Sequence, residues 1–323
     1  MWAYTLSKPF TFEKIESPTP KAADLADGQV LLVTEAGGIC GSDLPNFRGA
    51  SFPHPKNEGR WVTRAPGFPL HEVVGEVVAS RHSAHQVGDK VVGWASGFDG
   101  LAEFVVSDGE GLAGFDRKLS PPTAVMIQPL ACVLYAAEQV GDVTGKTVAV
   151  VGQGPIGLLF SHVLKQRHAG HVIGVDRVDR SEAAGVFGVD ETVTASANLW
   201  AAKLAETNRP NLVVEAVGHQ VTTMKNCLDA VAFGGEVLYF GIPDDLVYPF
   251  DMMTFLRKNL TLRAGATLER RRVLAAADAY LAAHPALAEA YVTDIHHIGD
   301  VEGAFAAATQ PKRGQYKIAL DMA

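Results

Sequence analysis

The sequence predicts an α/β protein in which a doubly wound parallel sheet is inserted into a smaller, β-rich, barrel-like domain. Three observations carry this. Residues 1–122 hold short β-rich runs punctuated by glycine and proline clusters, the pattern of a small barrel-like β-domain. Between 123 and 264, apolar helical stretches alternate with short β-branched runs, the pattern of βαβ units around a parallel sheet. From 265 to 323 that alternation stops, so the chain is expected to return to its first domain. At 323 residues there is room for about two domains of ordinary size.

In the first segment Val30–Val33, Val73–Val78, Lys90–Gly93 and Ala102–Val106 read as strands, and Gly88-Asp89 ahead of Lys90 is a turn signal. In the second, strands are expected at 147–151, 171–175, 212–215 and 236–240, with Leu260–Ala264 as a further candidate. An alanine-rich helix is expected from Arg270 to Ala283, stopped by His284-Pro285. A short run Ile295–Ile298, a helix near Asp300–Thr309 and a strand over Lys317–Leu320 complete the tail.

The most informative stretch is Thr147-Val148-Ala149-Val150-Val151-Gly152-Gln153-Gly154-Pro155-Ile156-Gly157. A buried strand runs into a glycine turn, an apolar helix follows through Leu158, Leu159, Phe160, Val163 and Leu164, and the next strand ends at Asp176. A G-x-G-x-x-G in that context, with an acid about 20 residues on, is the signature of a Rossmann-type dinucleotide site. Gly152 permits the tight turn, Gly154 lets the backbone approach a pyrophosphate, and Gly157 lets helix and strand pack closely. The helix N-terminus, which opens with Pro155 and Ile156, faces the phosphates with its free N–H groups, Pro155 itself having none. Asp176 is placed to bond the adenosine ribose hydroxyls and to repel a 2′-phosphate, so NAD is the expected cofactor. Arg177 and Arg180 follow directly and could bind a phosphate, which leaves NADP open; an exposed, solvated face is the plainer reading of both.

A net charge of −8 argues against nucleic acid or an anionic membrane as partner. No apolar run reaches the roughly 18 residues of a membrane span. Met1-Trp2-Ala3-Tyr4-Thr5 carries no basic stretch followed by an apolar one, so no signal peptide is expected. Three cysteines, Cys40, Cys132 and Cys227, make no disulfide framework, and the chain reads as cytoplasmic and reduced.

Gly38-Ile39-Cys40-Gly41-Ser42-Asp43 supplies a thiol, Pro69-Leu70-His71-Glu72 an imidazole and a carboxylate, and Ile127-Gln128-Pro129-Leu130 an amide. A catalytic zinc takes three protein ligands and keeps a fourth position open. Spacing alone does not assign such a site, and Cys40 taken singly reads as a small buried apolar residue.

The succession Gly-Ile-Cys-Gly-Ser-Asp, His-Glu-Val-Val-Gly-Glu-Val, Gly-Asp-Lys-Val, Gln-Pro-Leu-Ala and Val-Gly-Gln-Gly-Pro-Ile-Gly resembles the zinc-dependent medium-chain alcohol/polyol dehydrogenase family over nearly the whole chain. The resemblance implies a GroES-like catalytic domain (1–122 and 265–323) around an NAD-binding domain (123–264). It implies Cys40 and His71 as zinc ligands, Glu72 as a carboxylate that exchanges onto the metal, Asp43 as the group orienting His71, and Ser42 as the hydroxyl that starts proton transfer. It places Val217 and Gly241 in the nicotinamide-side loops, and Lys317 near the pyrophosphate. It further implies a small alcohol or ketone substrate, a secondary alcohol on a polyol, sugar or cyclitol, and a homodimer or homotetramer.

Three departures from the family pattern stand out. Gln128 replaces the glutamate of sorbitol-type members and would be a neutral third ligand. Pro45 stands where a histidine often relays a proton, leaving His54 as the candidate substitute. The four-cysteine structural zinc lobe is missing, since Trp94–Gly100 runs straight into the next strand, so one catalytic zinc per chain is expected. Two other readings share these features: a zinc-free NAD(P)H enone or quinone reductase, and a non-enzymatic nucleotide-binding redox sensor.

Overall fold

The computed structural model describes residues 1–49 and 65–323; His54 lies outside them. Two compact units emerge. Unit 1 comprises Met1–Ala131, Glu269–Pro311 and Gln315–Ala323, and unit 2 comprises Cys132–Leu268 with Lys312–Gly314. The expected borders at 122/123 and 264/265 fall a few residues before these, because the helix Ile127–Glu138 begins in unit 1 and ends in unit 2.

Unit 1 opens with a hairpin of β1 (Trp2–Lys8) and β2 (Thr11–Glu16). Its main sheet is organised on β3 (Gln29–Gly38), which pairs antiparallel with both β4 (Glu72–Ser80) and β6 (Phe104–Asp108). β5 (Lys90–Trp94) lies between β4 and β7 (Leu112–Gly114). The period-two pattern of these strands sends Val30, Leu32, Val73, Val77, Val91, Val105 and Leu112 into one core cluster. Each such side chain contributes about 1.5–3 kcal/mol by leaving water.

Unit 2 is a six-stranded parallel sheet. In chain order its strands are β8 (Thr147–Val151), β9 (His171–Asp176), β10 (Glu191–Thr194), β11 (Leu212–Glu215), β12 (Glu236–Tyr239) and β13 (Thr261–Ala264). In space they run β10-β9-β8-β11-β12-β13. The chain winds outward from β8 to β10, then starts again on the other side of β8 with β11. Ligands of such sheets bind beyond the carboxyl ends of the strands where the order reverses, here between β8 and β11. Val213, Ala149 and Val237 of the central strands pack with Leu228 and Cys227 of the helix Thr223–Ala230 and with Trp200.

The tail returns to unit 1. The helix Arg270–Ala283 lies where the sequence predicts it, and β14 (Val292–His297) pairs in parallel with β15 (Lys317–Asp321). β15 in turn pairs antiparallel with the end of β3, Ala319 opposite Gly38. Phe305 of the tail helix Val301–Ala308 sits 5.0 Å from the Phe12 ring and 5.2 Å from Phe47, closing a second core. No helix among the described residues is long and apolar enough to cross a membrane.

Candidate active site

The donors predicted from sequence meet in unit 1. β3 ends in Gly37-Gly38, Ile39 leads into Cys40, and a single 3-10 turn follows over Gly41–Asp43. Asp43 is 1 % exposed and braces two donor residues at once. Its Oδ2 accepts the Cys40 backbone N–H at 2.9 Å, and its Oδ1 lies 2.9 Å from Nδ1 of His71. The Cys40 sulfur accepts the Asp43 N–H in return. With Nδ1 turned to a carboxylate, Nε2 is the ring nitrogen left for a metal, the arrangement ligand histidines usually show. Burial alone would lower the His71 pKa, but the Asp43 charge and hydrogen bond, helped by Cys40, hold it well above its ordinary value.

The sulfur of Cys40, a ring nitrogen of His71 and a carboxylate oxygen of Glu72 all lie within 4.8 Å of one another. Glu72 is completely buried, and its Oε1 has no hydrogen-bond partner. A thiol, an imidazole and a buried carboxylate with Oε1 unpartnered form a donor set that fits a zinc ion. Ser42 stands half-buried in the same turn. Gln128 is 2 % exposed in the first turn of the helix Ile127–Glu138. Pro45 lies in the short helix Leu44–Phe47.

Lys317 is 1 % exposed within unit 1, with its ammonium 2.5 Å from Glu72 Oε2 and donating to the Ile39 carbonyl at 2.9 Å. The pairing of β15 with β3 carries it inward, and a cation in that position neutralises Glu72. The close fit explains Gly38, where a Cβ would come within 2.2 Å of Glu72 Oε2 and 3.0 Å of Lys317 Cε.

Phe98 is a neighbour that sequence reasoning did not single out. Its ring lies 5.2 Å from that of His71, it is 49 % exposed, and its backbone is left-handed at φ 55°. The Ala95 N–H bonds the His71 carbonyl at 2.8 Å and the Gly100 N–H bonds the Leu70 carbonyl at 2.9 Å. The short Trp94–Gly100 connection is thereby stitched to the donor strand, and the phenyl ring becomes a wall over the imidazole.

Unit 2 carries the dinucleotide cradle. Gly152 has φ +91°, and Gly157 approaches so closely that a Cβ would lie 1.7 Å from the Gly152 carbonyl oxygen. Around Gly154 a Cβ would meet nothing within 4 Å, leaving room above the first turn of the helix Pro155–Gln166. Asp176 ends β9 and accepts the N–H of Gln153 at 2.7 Å and of Val178 at 2.8 Å. The open backbone above a helix start and the acid at the end of β9 fit a dinucleotide. Arg177 is exposed. Arg180 is not on a solvated face: it is 5 % exposed and donates to the Lys312 carbonyl at 2.8 Å. Val217 and Gly241 lie in the loops after β11 and β12, where Glu215 accepts both of their N–H groups at 3.2 Å.

A parallel sheet with a glycine turn at its switch point and a Cys–His–Glu donor cluster define a metal- and dinucleotide-using dehydrogenase type. Residues 26–116 match the alcohol dehydrogenase GroES-like domain and residues 155–281 the zinc-binding dehydrogenase domain. The chain belongs to the zinc-dependent medium-chain alcohol/polyol dehydrogenase family. It is 25 % identical to L-idonate 5-dehydrogenase (NAD(P)(+)) of Escherichia coli over 78 % of this chain and 80 % of that one. It is 29 % identical to (R,R)-butanediol dehydrogenase of Bacillus subtilis over 74 % and 79 %. Its fold matches alcohol dehydrogenase TADH from Thermus sp. ATN1 at a TM-score of 0.84, with 23 % identity and full coverage of both chains.

Proposed function

We propose that this protein oxidises a secondary alcohol of a polyol, sugar or cyclitol to the ketone, passing a hydride to NAD and releasing a proton. The observation that carries the reading is the cluster of half-buried Cys40 with buried His71 and Glu72, braced by Asp43; the polyol dehydrogenases among its relatives support the substrate class. Cys40 and His71 would hold the zinc, Gln128 would be the neutral third ligand, and Glu72 would be a carboxylate able to exchange onto the metal. Zinc, when bound, supplies a Lewis acid that lowers the pKa of the substrate hydroxyl. Ser42 would relay the hydroxyl proton, taking it up as its own O–H proton leaves toward solvent, and Asp43, bonded to Nδ1 of His71, would leave Nε2 free for the metal. Gly152, Gly154, Pro155, Ile156 and Gly157 bind the pyrophosphate, Asp176 the adenosine ribose, Arg177 flanks it, and Val217 and Gly241 face the nicotinamide. Three cysteines that make no disulfide framework support a cytoplasmic enzyme. The exposed edge strand β13 and the exposed Met252, Met253 and Leu256 support a homodimer or homotetramer.

Elemental analysis of purified protein tests the metal. About one zinc per chain is expected, since the three cysteines cannot build a four-cysteine lobe. Protein never exposed to chelator that carries no zinc, yet reduces enones or quinones, overturns the proposal in favour of a zinc-free reductase.

Cofactor choice is tested at Asp176. The wild type is expected to bind NAD(H) more tightly than NADP(H), because a carboxylate at the end of β9 meets a 2′-phosphate with like charge. Asp176→Ala removes charged hydrogen bonds to the ribose, each about 1.5–3 kcal/mol, so NADH affinity is expected to fall about tenfold and the gap to NADPH to narrow. Fluorescence titration with both cofactors reads this directly. A wild type that binds NADPH as well as NADH shows instead that Arg177 dominates the choice.

A further inference from the structure

Glu215 is a buried acid that the chemistry above does not use. It is the last residue of β11, and it is completely buried. It is held by backbone amides rather than by a cation. Oε1 accepts the N–H of Val217 at 3.2 Å and of Gly218 at 3.1 Å, and Oε2 accepts that of Gly241 at 3.2 Å. Its carbonyl accepts the N–H of Phe240 at 3.0 Å and of Gly241 at 3.1 Å. One residue therefore ties the loop after β11 to the loop after β12. The His219 N–H adds a bond to the Ile242 carbonyl at 2.8 Å.

The two loops are in near-contact, and glycine alone permits it. A Cβ on Gly241 would lie 2.2 Å from the Gly218 nitrogen and 2.4 Å from Glu215 Oε2. Gly218 is left-handed at φ +62°, and its own Cβ would lie 2.9 Å from the Ile242 nitrogen. The first loop also reaches the phosphate turn, since a Cβ on Gly152 would meet Val217 Cγ2 at 2.9 Å. Burial pushes the Glu215 carboxyl pKa up, while the amides of Gly218, Val217 and Gly241 and the Thr223 hydroxyl pull it down. A carboxylate buried without hydrogen bonds is strongly disfavoured, so the amides and the anion hold one another in place.

We infer that Glu215 is a positioning residue that pre-shapes the nicotinamide half of the cofactor site by clamping the loops after β11 and β12. This rests on the dinucleotide reading of unit 2. The glycine turn after β8 takes the pyrophosphate and Asp176 at the end of β9 takes the adenosine ribose. The rest of the cofactor then lies across the switch point, over the carboxyl ends of β11 and β12. Loops already fixed before binding cost less to order when the ligand arrives. The clamp thus acts first on the nicotinamide end, while Asp176 at the adenosine end is held by Gln153 and Val178 and not by Glu215.

ADP-ribose, which has the pyrophosphate and adenosine but no nicotinamide, separates the two ends. Binding of NADH and of ADP-ribose is measured by calorimetry for the wild type, for the near-isosteric Glu215→Gln, and for Gly241→Ala, which forces the loops apart with the carboxylate still present. Both variants are expected to weaken NADH about tenfold, the loss of roughly one charged hydrogen bond, and to leave ADP-ribose within about twofold. An equal loss for both ligands overturns the inference, because Glu215 then merely supports the unit. No loss for either also overturns it. Should Glu215→Gln fail to fold, Gly241→Ala decides by the same comparison. A wild type that binds neither ligand overturns the dinucleotide reading itself, a result distinct from either outcome in the variants.

Discussion

Cys40→Ala is expected to lower alcohol oxidation about a thousandfold while NADH binding stays within about twofold. Withdrawing a Lewis acid from the substrate oxygen forfeits several kcal/mol of transition-state stabilisation, and about 4 kcal/mol corresponds to a thousandfold in rate. The local fold should survive the change. The bond from the Cys40 backbone N–H to Asp43 Oδ2 does not involve the thiol, nor does the one between Asp43 and His71. The glycine turn belongs to unit 2, whereas Cys40 belongs to unit 1. Steady-state rates with a polyol panel, zinc content and an NADH titration on the same preparation make the measurement. A variant that oxidises alcohol near the wild-type rate rules out the zinc mechanism. One that loses NADH binding as well shows that the thiol supports more than the metal.

Lys317→Met is expected to destabilise the protein by about 3–5 kcal/mol, the usual result of removing one partner of a buried ion pair. The cause is Glu72, which has no exposed surface through which to recover solvation. Adding Glu72→Gln to the same chain is expected to restore a large part of the loss, because no uncompensated charge then remains. Urea unfolding of the wild type, both single variants and the double variant gives the coupling between the two sites. A loss under about 1 kcal/mol in Lys317→Met, or a double variant no better than it, shows that the ammonium does not neutralise the carboxylate.

What the sequence disclosed follows from how local each signal is. β8 and β11 read clearly because their valines are buried on both faces, and the helix Arg270–Ala283 because His284-Pro285 stops it. β10 is almost wholly exposed and offers no apolar pattern, which leaves the short β-branched run Thr192-Val193-Thr194 as its strand signal. The β1–β2 hairpin turns through Pro9 and Phe10 without a two-residue glycine signal. Cys40, Asp43 and His71 were legible as a set because a three-residue turn and one resemblance bring them together. The Glu72 partner of Lys317 was not legible, because it lies on a strand met through sheet pairing, far away in sequence. Glu215 had a faint signal, an acid closing the apolar run Leu212-Val213-Val214. Phe98 had none, because only folding of the Trp94–Gly100 connection lays its ring on His71.

The inserted architecture also imposes a timetable on synthesis. β15, which closes the edge of β3 and delivers Lys317 to Glu72, follows nearly all of unit 2 in the chain. A ribosome therefore exposes the whole parallel sheet before the first unit can complete its own. Until then Glu72 has no ammonium beside it, and the nascent donor cluster carries one more negative charge than the finished protein. The unit with the glycine turn can mature early, while the unit with the donor cluster waits for β15.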